Sequence, residues 1–138
     1  MPSGVQEADV PKLALTVVAL VLVLHGLIHL IGTTVYSRLA EIQGFTYKTT
    51  LLGGRLDLGE AGMRIFGVLW VLPAVGFVLA AFALLQGWDW WRNMLLGATL
   101  LSLGLTSLDW SVAFAGAVVN VAILVLLWFG PRVVGQVS

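Results

Sequence analysis

The sequence predicts an all-α protein whose solvent is lipid: one integral membrane domain, residues 1–138, folded as an up-down-up-down four-helix transmembrane bundle. Three observations carry that expectation. The 138 residues are 59% hydrophobic and 10% charged, whereas soluble domains carry about 25% charge, so this chain could not cover itself with polar side chains in water. Apolar runs of about 20 residues recur, each long enough at about 1.5 Å per residue to cross a roughly 30 Å hydrocarbon core. The stretches between the runs are charged and glycine-rich or crowded with tryptophan, as membrane–water boundaries are. Seven basic and seven acidic residues cancel, which gives no reason to expect a nucleic-acid partner or docking on anionic lipid. The absence of cysteine excludes disulfides, thiolate metal sites and iron–sulfur clusters.

The first helix is predicted over 12–36. Leu13 to Thr33 is apolar except for Thr16, His25, His29 and Thr33. At steps of three and four, Val18, Leu22, His25, His29, Thr33 and Tyr36 share a face. Gly26 and Gly32 flank it and would permit close helix approach. Met1–Lys12 reads as a short tail. It sets one lysine against Glu7 and Asp9, the apolar run exceeds the usual ~7–15 residues of a signal, and no small-x-small site follows it promptly. An uncleaved first span is therefore expected.

Residues 38–62 form the main polar loop, with a short interfacial helix expected near Arg38–Gln43 and solvated charges elsewhere. Glu60 and Arg64 have the i,i+4 spacing of a surface pair at the start of the second helix. That helix is predicted over 63–85, kinked by Pro73 near its centre. Trp88, Trp90 and Trp91 in the turn that follows mark a membrane boundary. The apolar sequence from Asn93 to Trp128 is too long for one span and sufficient for two of about 16 to 18 residues. The third and fourth helices are placed over 92–108 and 111–129, with Asp109 as the pivot between them and the anionic cap of the second. Ala113, Gly116, Ala117, Asn120 and Leu124 give that last helix a small-residue face. Gly130-Pro131-Arg132 is expected to end it. Arg38, Lys48, Arg55 and Arg64 on one side, against Lys12, Arg92 and Arg132 on the other, lean toward a cytoplasmic first loop.

His25 and His29 are the sharpest chemical feature. Ionisable groups at membrane depth are costly and usually face a protein interior or a wet cavity. Two histidines at i,i+4 can share one ion, which makes them the candidate metal residues. Two ligands do not make a tight site, however, and Asp109, Glu60 or Tyr36 would have to complete it. Position 26 is glycine, not the glutamate of a helical metalloprotease motif. Two histidines are too few for a membrane di-iron centre. Both imidazoles also point the same way, so a haem could be held only between two copies. No cofactor is required by the sequence. As acid–base groups, His25, His29 and Asp109 are the catalytic candidates.

Asn120 lies mid-span, where a buried amide must find partners, and the nearest inward polar groups are expected to be His25 and His29. Thr99, Ser102, Thr106 and Asp109 follow at spacings of three and four. They either bond back to their own helix or extend the His–Asn site as a polar seam. Trp70 and Trp110, with Phe66, Phe77 and Phe114, would line an apolar pocket or serve as core and lipid-facing anchors. The predicted ligand-binding set is thus His25, His29, Tyr36, Trp70, Trp110 and Asn120.

The strings HGLIHLIG at 25–32, GVLWVLPAVGFVLAA at 67–81, WW at 90–91 and DWSVAFAGAVVN at 109–120 resemble an uncharacterised family of small bacterial four-span membrane proteins, sometimes labelled permease-like. The resemblance covers most of the chain from the first helix onward. It implies a multi-pass protein of the bacterial inner membrane, and places His25, His29, Trp110 and Asn120 in the recognisable parts. It carries no activity over.

The leading functional expectation is a protein that binds a small lipophilic molecule, or a small enzyme acting on one, at an intramembrane His/Asn/Asp cluster. The alternatives are an accessory subunit of a larger membrane complex, and a metal-, haem- or proton-handling protein. The expected partners are the lipid bilayer and a second copy or larger membrane complex.

Overall fold

The structure, a computed structural model, describes residues 9–134, so the tail expected at the N-terminus lies outside the described residues up to position 8. Five helices follow in order: α1 (Asp9–Tyr36), α2 (Gly59–Leu69), α3 (Val71–Gln86), α4 (Trp91–Leu108) and α5 (Trp110–Val134). The chain is all-α apart from a small antiparallel hairpin in the loop, β1 (Thr50–Leu51) against β2 (Leu56–Asp57), with Thr50 opposite Asp57.

α2 and α3 form one rod interrupted at Trp70. Proline has no N–H, so Pro73 leaves the carbonyl of Leu69, four residues back, without its helical donor. The break therefore falls about one turn before the proline rather than at it. α3 stops at Gly87, whose left-handed φ of 69° lets the N–H of Trp88 turn back to the carbonyl of Ala83 at 2.9 Å.

Each rod packs on the next: α1 on α2 and α3, α3 on α4, α4 on α5. Glycine sets the closest approaches. A Cβ at Gly26 would lie 3.0 Å from the Ala74 carbonyl oxygen, and one at Gly76 would lie 2.7 Å from the Cβ of Ala98. Two apolar cores result. One joins Ala19, Leu22, Phe77, Ala80 and Leu95. The other, near the loop, joins Tyr36, Leu51, Met63, Phe66 and Trp70. A layer of buried polar residues lies between them.

The distribution of side chains is the reverse of a soluble domain. Leu13, Leu24 and Leu126 are 65%, 61% and 70% exposed, while Thr99, Ser102 and Asn120 are fully buried. Three stretches are long and apolar enough to cross a membrane: Pro11–Tyr36, Gly59–Gln86 and Trp110–Gly130. α4, expected as a fourth, is not among them, because Arg92, Asn93, Thr99, Ser102, Thr106 and Ser107 dilute its apolar character.

Several local expectations are corrected. No helix forms at Arg38–Gln43: Arg38 takes a left-handed φ of 56°, which ends α1, and Ile42 instead bridges to Phe45. Glu60 pairs with Arg38 at 3.5 Å, across the loop, rather than with Arg64. On α1 the buried position is Ala19 and not Val18, and Ala19 belongs to the same core as Ala80 and Ala81. Gly130-Pro131-Arg132 does not end α5, which runs to Val134. The carbonyl that Pro131 deprives of a helical donor is that of Leu127, and it accepts the Arg92 guanidinium Nη2–H at 2.9 Å instead.

Candidate functional site

The one-turn spacing of His25 and His29 does put both imidazoles on the inner face of α1, with ring centroids 4.9 Å apart and nearly perpendicular. Phe77 of α3 packs beneath both, at 4.7 Å from His25 and 5.6 Å from His29. The polar edges turn the other way, toward α4 and α5. His25 Nε2–H donates to Asn120 Oδ1 at 3.0 Å. Asn120 Nδ2 donates to Ser102 Oγ at 2.7 Å. Ser102 Oγ–H donates to His29 Nε2 at 2.5 Å. His29 Nδ1–H returns to the backbone carbonyl of His25 at 2.7 Å. Every donor in this ring meets one acceptor, with both imidazoles neutral and in opposite tautomers. Polar networks whose donors are all paired fix one packing of the helices around them.

Nearer the loop lies a second grouping. Asp109 is 2% exposed. Its Oδ2 accepts the hydroxyl of Tyr36, and its Oδ1 accepts Lys48 Nζ at 2.5 Å. Lys48 also reaches Ser111 Oγ at 3.3 Å. The carboxylate therefore does not cap α5 as expected. The opening turn of α5 uses the backbone carbonyl of Asp109, which accepts the N–H groups of Val112 and Ala113 at 3.0 and 2.9 Å. Nor is Lys48 a solvated loop charge: its side chain is only 24% exposed and reaches inward to a buried anion.

A cavity of about 260 Å³ lies between α1 and α5, beside both groupings. Ile28, Val112 and Val119 form its apolar sides, and His25, Thr106 and Asp109 are among its polar lining. His29, Tyr36 and Trp70 line it as well, and Phe45 and Thr46 of the loop lie over it.

Comparison with known proteins finds nothing alike. No protein-family model, curated protein or solved structure matches the chain. The site is therefore read from its own chemistry.

Of the six ligand-binding candidates, His25, His29, Tyr36 and Trp70 line the cavity. Asn120 does not line it but holds the ring behind it. Trp110 is not a lining residue: it is 52% exposed and packs edge-on against Phe114 at 4.8 Å. The reason is position. Asp109 turns inward, so the next residue turns out. Phe66 and Phe77 are core. The seam on α4 divides. Ser102 joins the ring, Asp109 joins the second grouping, and Thr106 receives a long 3.4 Å contact from Asn120. Thr99 only bonds back to the Leu95 carbonyl. The His29 nitrogens and His25 Nε2 are engaged in hydrogen bonds, and among the described residues no three His, Asp or Glu gather into a metal-binding group. Lys48, Phe45 and Thr46 carried no sequence signal, because a loop has no period to place them.

Proposed function

We propose that this chain is a multi-pass integral membrane protein of four spans, α4 included, that takes a small lipophilic molecule from the bilayer into the cleft between α1 and α5. The observation that carries this reading is the cavity itself: apolar walls, a few polar groups on one side, and a position at the depth of the histidines. The inverted side-chain distribution supports lipid as the solvent. Soluble monomers rarely expose contiguous apolar patches beyond a few hundred Å², whereas here leucine and valine cover the outside of every rod. α4 crosses with the others because its hydroxyls bond inward or to their own helix. The histidine ring, with every one of its donors paired, acts as a rigid polar floor to the cleft.

The test is to purify the protein in mild detergent, extract it with organic solvent and identify what it retains. Ala115 lines the cleft and belongs to neither polar grouping, so Ala115→Phe is the variant chosen to crowd it from the α5 side. The reading expects a retained lipophilic molecule in fixed ratio to protein, lost in Ala115→Phe. Equal lipid content in both proteins would overturn it.

A further inference from the structure

The proton order of the histidine ring is fixed from one end, and it leaves one nitrogen bare. The backbone carbonyl of His25 can only accept, so His29 Nδ1, 2.7 Å away, carries the hydrogen. Nε2 of a neutral His29 is then a lone pair, and the Ser102 hydroxyl must donate to it. Ser102 has thereby spent its only hydrogen, so Asn120 meets it with the amide N–H. The carbonyl edge of Asn120 consequently faces His25, and the His25 hydrogen sits on Nε2. His25 Nδ1 remains as an acceptor.

That acceptor has no partner within the protein, and it is open. Among the described residues, four buried side-chain polar atoms are sealed in without a hydrogen bond: Thr33 Oγ1, Ser37 Oγ, Tyr47 OH and Trp70 Nε1. His25 bonds through Nε2, and its Nδ1 is not one of the sealed atoms, so Nδ1 keeps surface that another molecule can touch. The cleft is where that surface lies. His25 lines the cavity, whereas Phe77 and His29 crowd its ring elsewhere at centroid distances of 4.7 and 4.9 Å. Buried polar groups are normally paired, and a bare one beside a cavity calls for a partner from outside the chain.

The side chains around the cavity offer acceptors but no free donor at the depth of the histidines. The hydrogens of His25 Nε2 and His29 Nδ1 are spent within the ring. The Tyr36 hydroxyl donates to Asp109, and the Thr106 hydroxyl to the Ser102 carbonyl at 2.8 Å. Trp70 Nε1 is sealed inside the wall. Thr46 is an exposed residue of the loop. Asp109 adds only acceptor oxygens, and these already hold Tyr36 and Lys48.

Resting on the binding reading above, we infer that the molecule held in this cleft is a neutral lipophilic alcohol, whose hydroxyl donates to His25 Nδ1. A ketone or an ester brings only acceptors and leaves Nδ1 bare, as a hydrocarbon does. The ester groups of diacyl phospholipids are acceptors too, so the cleft selects against the bilayer around it. An ionised acid brings no hydrogen. A cation would leave water for apolar walls and a neutral nitrogen, because the Asp109 carboxylate is already matched by Lys48.

The experiment compares 2-undecanol with 2-undecanone, two probes of one carbon skeleton that differ in the donor. Binding is measured on the full chain in lipid nanodiscs for the wild type, His25→Phe and Ala115→Phe. The wild type is expected to favour the alcohol on the order of tenfold, and His25→Phe to lose that preference by weakening the alcohol alone. Ring-nitrogen NMR of the wild type gives a readout that depends on no variant folding. The bare-nitrogen signal of His25 should shift on adding the alcohol and stay fixed on adding the ketone, while that of His29, held by Ser102, stays fixed with both. Equal affinity for the two probes in the wild type, an alcohol preference that survives His25→Phe, or a His25 signal indifferent to the alcohol overturns the inference while leaving the cleft as a binding site. Binding of both probes that Ala115→Phe does not reduce overturns the binding reading itself.

Discussion

The His25–Asn120–Ser102–His29 ring and the Tyr36–Asp109–Lys48 triad both tie α1 to the far side of the molecule, by different means. The ring draws only on helix residues, is neutral, and closes on itself. The triad needs a loop lysine, carries a charge pair, and has one member that reaches the surface. In the bilayer proposed above, the difference teaches what depth demands. Toward the middle, uncharged groups that satisfy one another replace water. Toward the end, a full charge is tolerated because its counter-ion comes from outside the helices. The triad should therefore respond to loss of charge balance, and the ring to loss of hydrogen-bond partners.

The largest effect is expected from unbalancing the triad. Lys48→Met leaves the Asp109 carboxylate buried with only the Tyr36 hydroxyl, and should destabilise the fold by about 3 kcal/mol in reversible unfolding from mixed micelles. The double variant Lys48→Met, Asp109→Leu removes both charges and should recover much of that loss. A double variant no better than the single would mean that charge balance is not what the pair supplies. Asn120→Leu breaks the ring at a residue that both accepts and donates within it. Membrane hydrogen bonds average about 0.6 kcal/mol and reach about 1.7, so losing two should cost about 1–2 kcal/mol in the same assay. Ser102→Ala removes the donor to His29 and the acceptor of Asn120, but Thr106 stands at 3.4 Å to receive the amide, so the cost should be smaller, about 1 kcal/mol. The control is the exposed Arg38–Glu60 pair: Glu60→Gln should move stability by less than about 0.5 kcal/mol.

The same comparison shows which contacts could be read from the sequence. His25, His29 and Asn120 sit in long helices whose phase is set by their apolar residues, so that their meeting follows from periodicity. Ser102 and Thr106 were visible as a seam for the same reason, although hydroxyls that only bond back to their helix, as Thr99 does, look identical in sequence. Lys48 was not legible: its partner is decided by how residues 37–58 fold back over the helix ends, and no repeat or spacing encodes that path. Trp110 was misplaced because Asp109 marks a hinge, and helical phase does not carry across one. The break at Trp70 follows from Pro73, but the seat of the indole there appears only once α1 is seen packing against it through Gly32.

The chain contains only two histidines, so ring-nitrogen NMR of histidine-labelled protein in bilayers reads the central ring directly. The account predicts two neutral imidazoles in opposite tautomers, His25 protonated at Nε2 and His29 at Nδ1, with the His25 signal lost or altered in Asn120→Leu. Two matching tautomers, a charged ring, or a His25 spectrum unchanged by Asn120→Leu would contradict it.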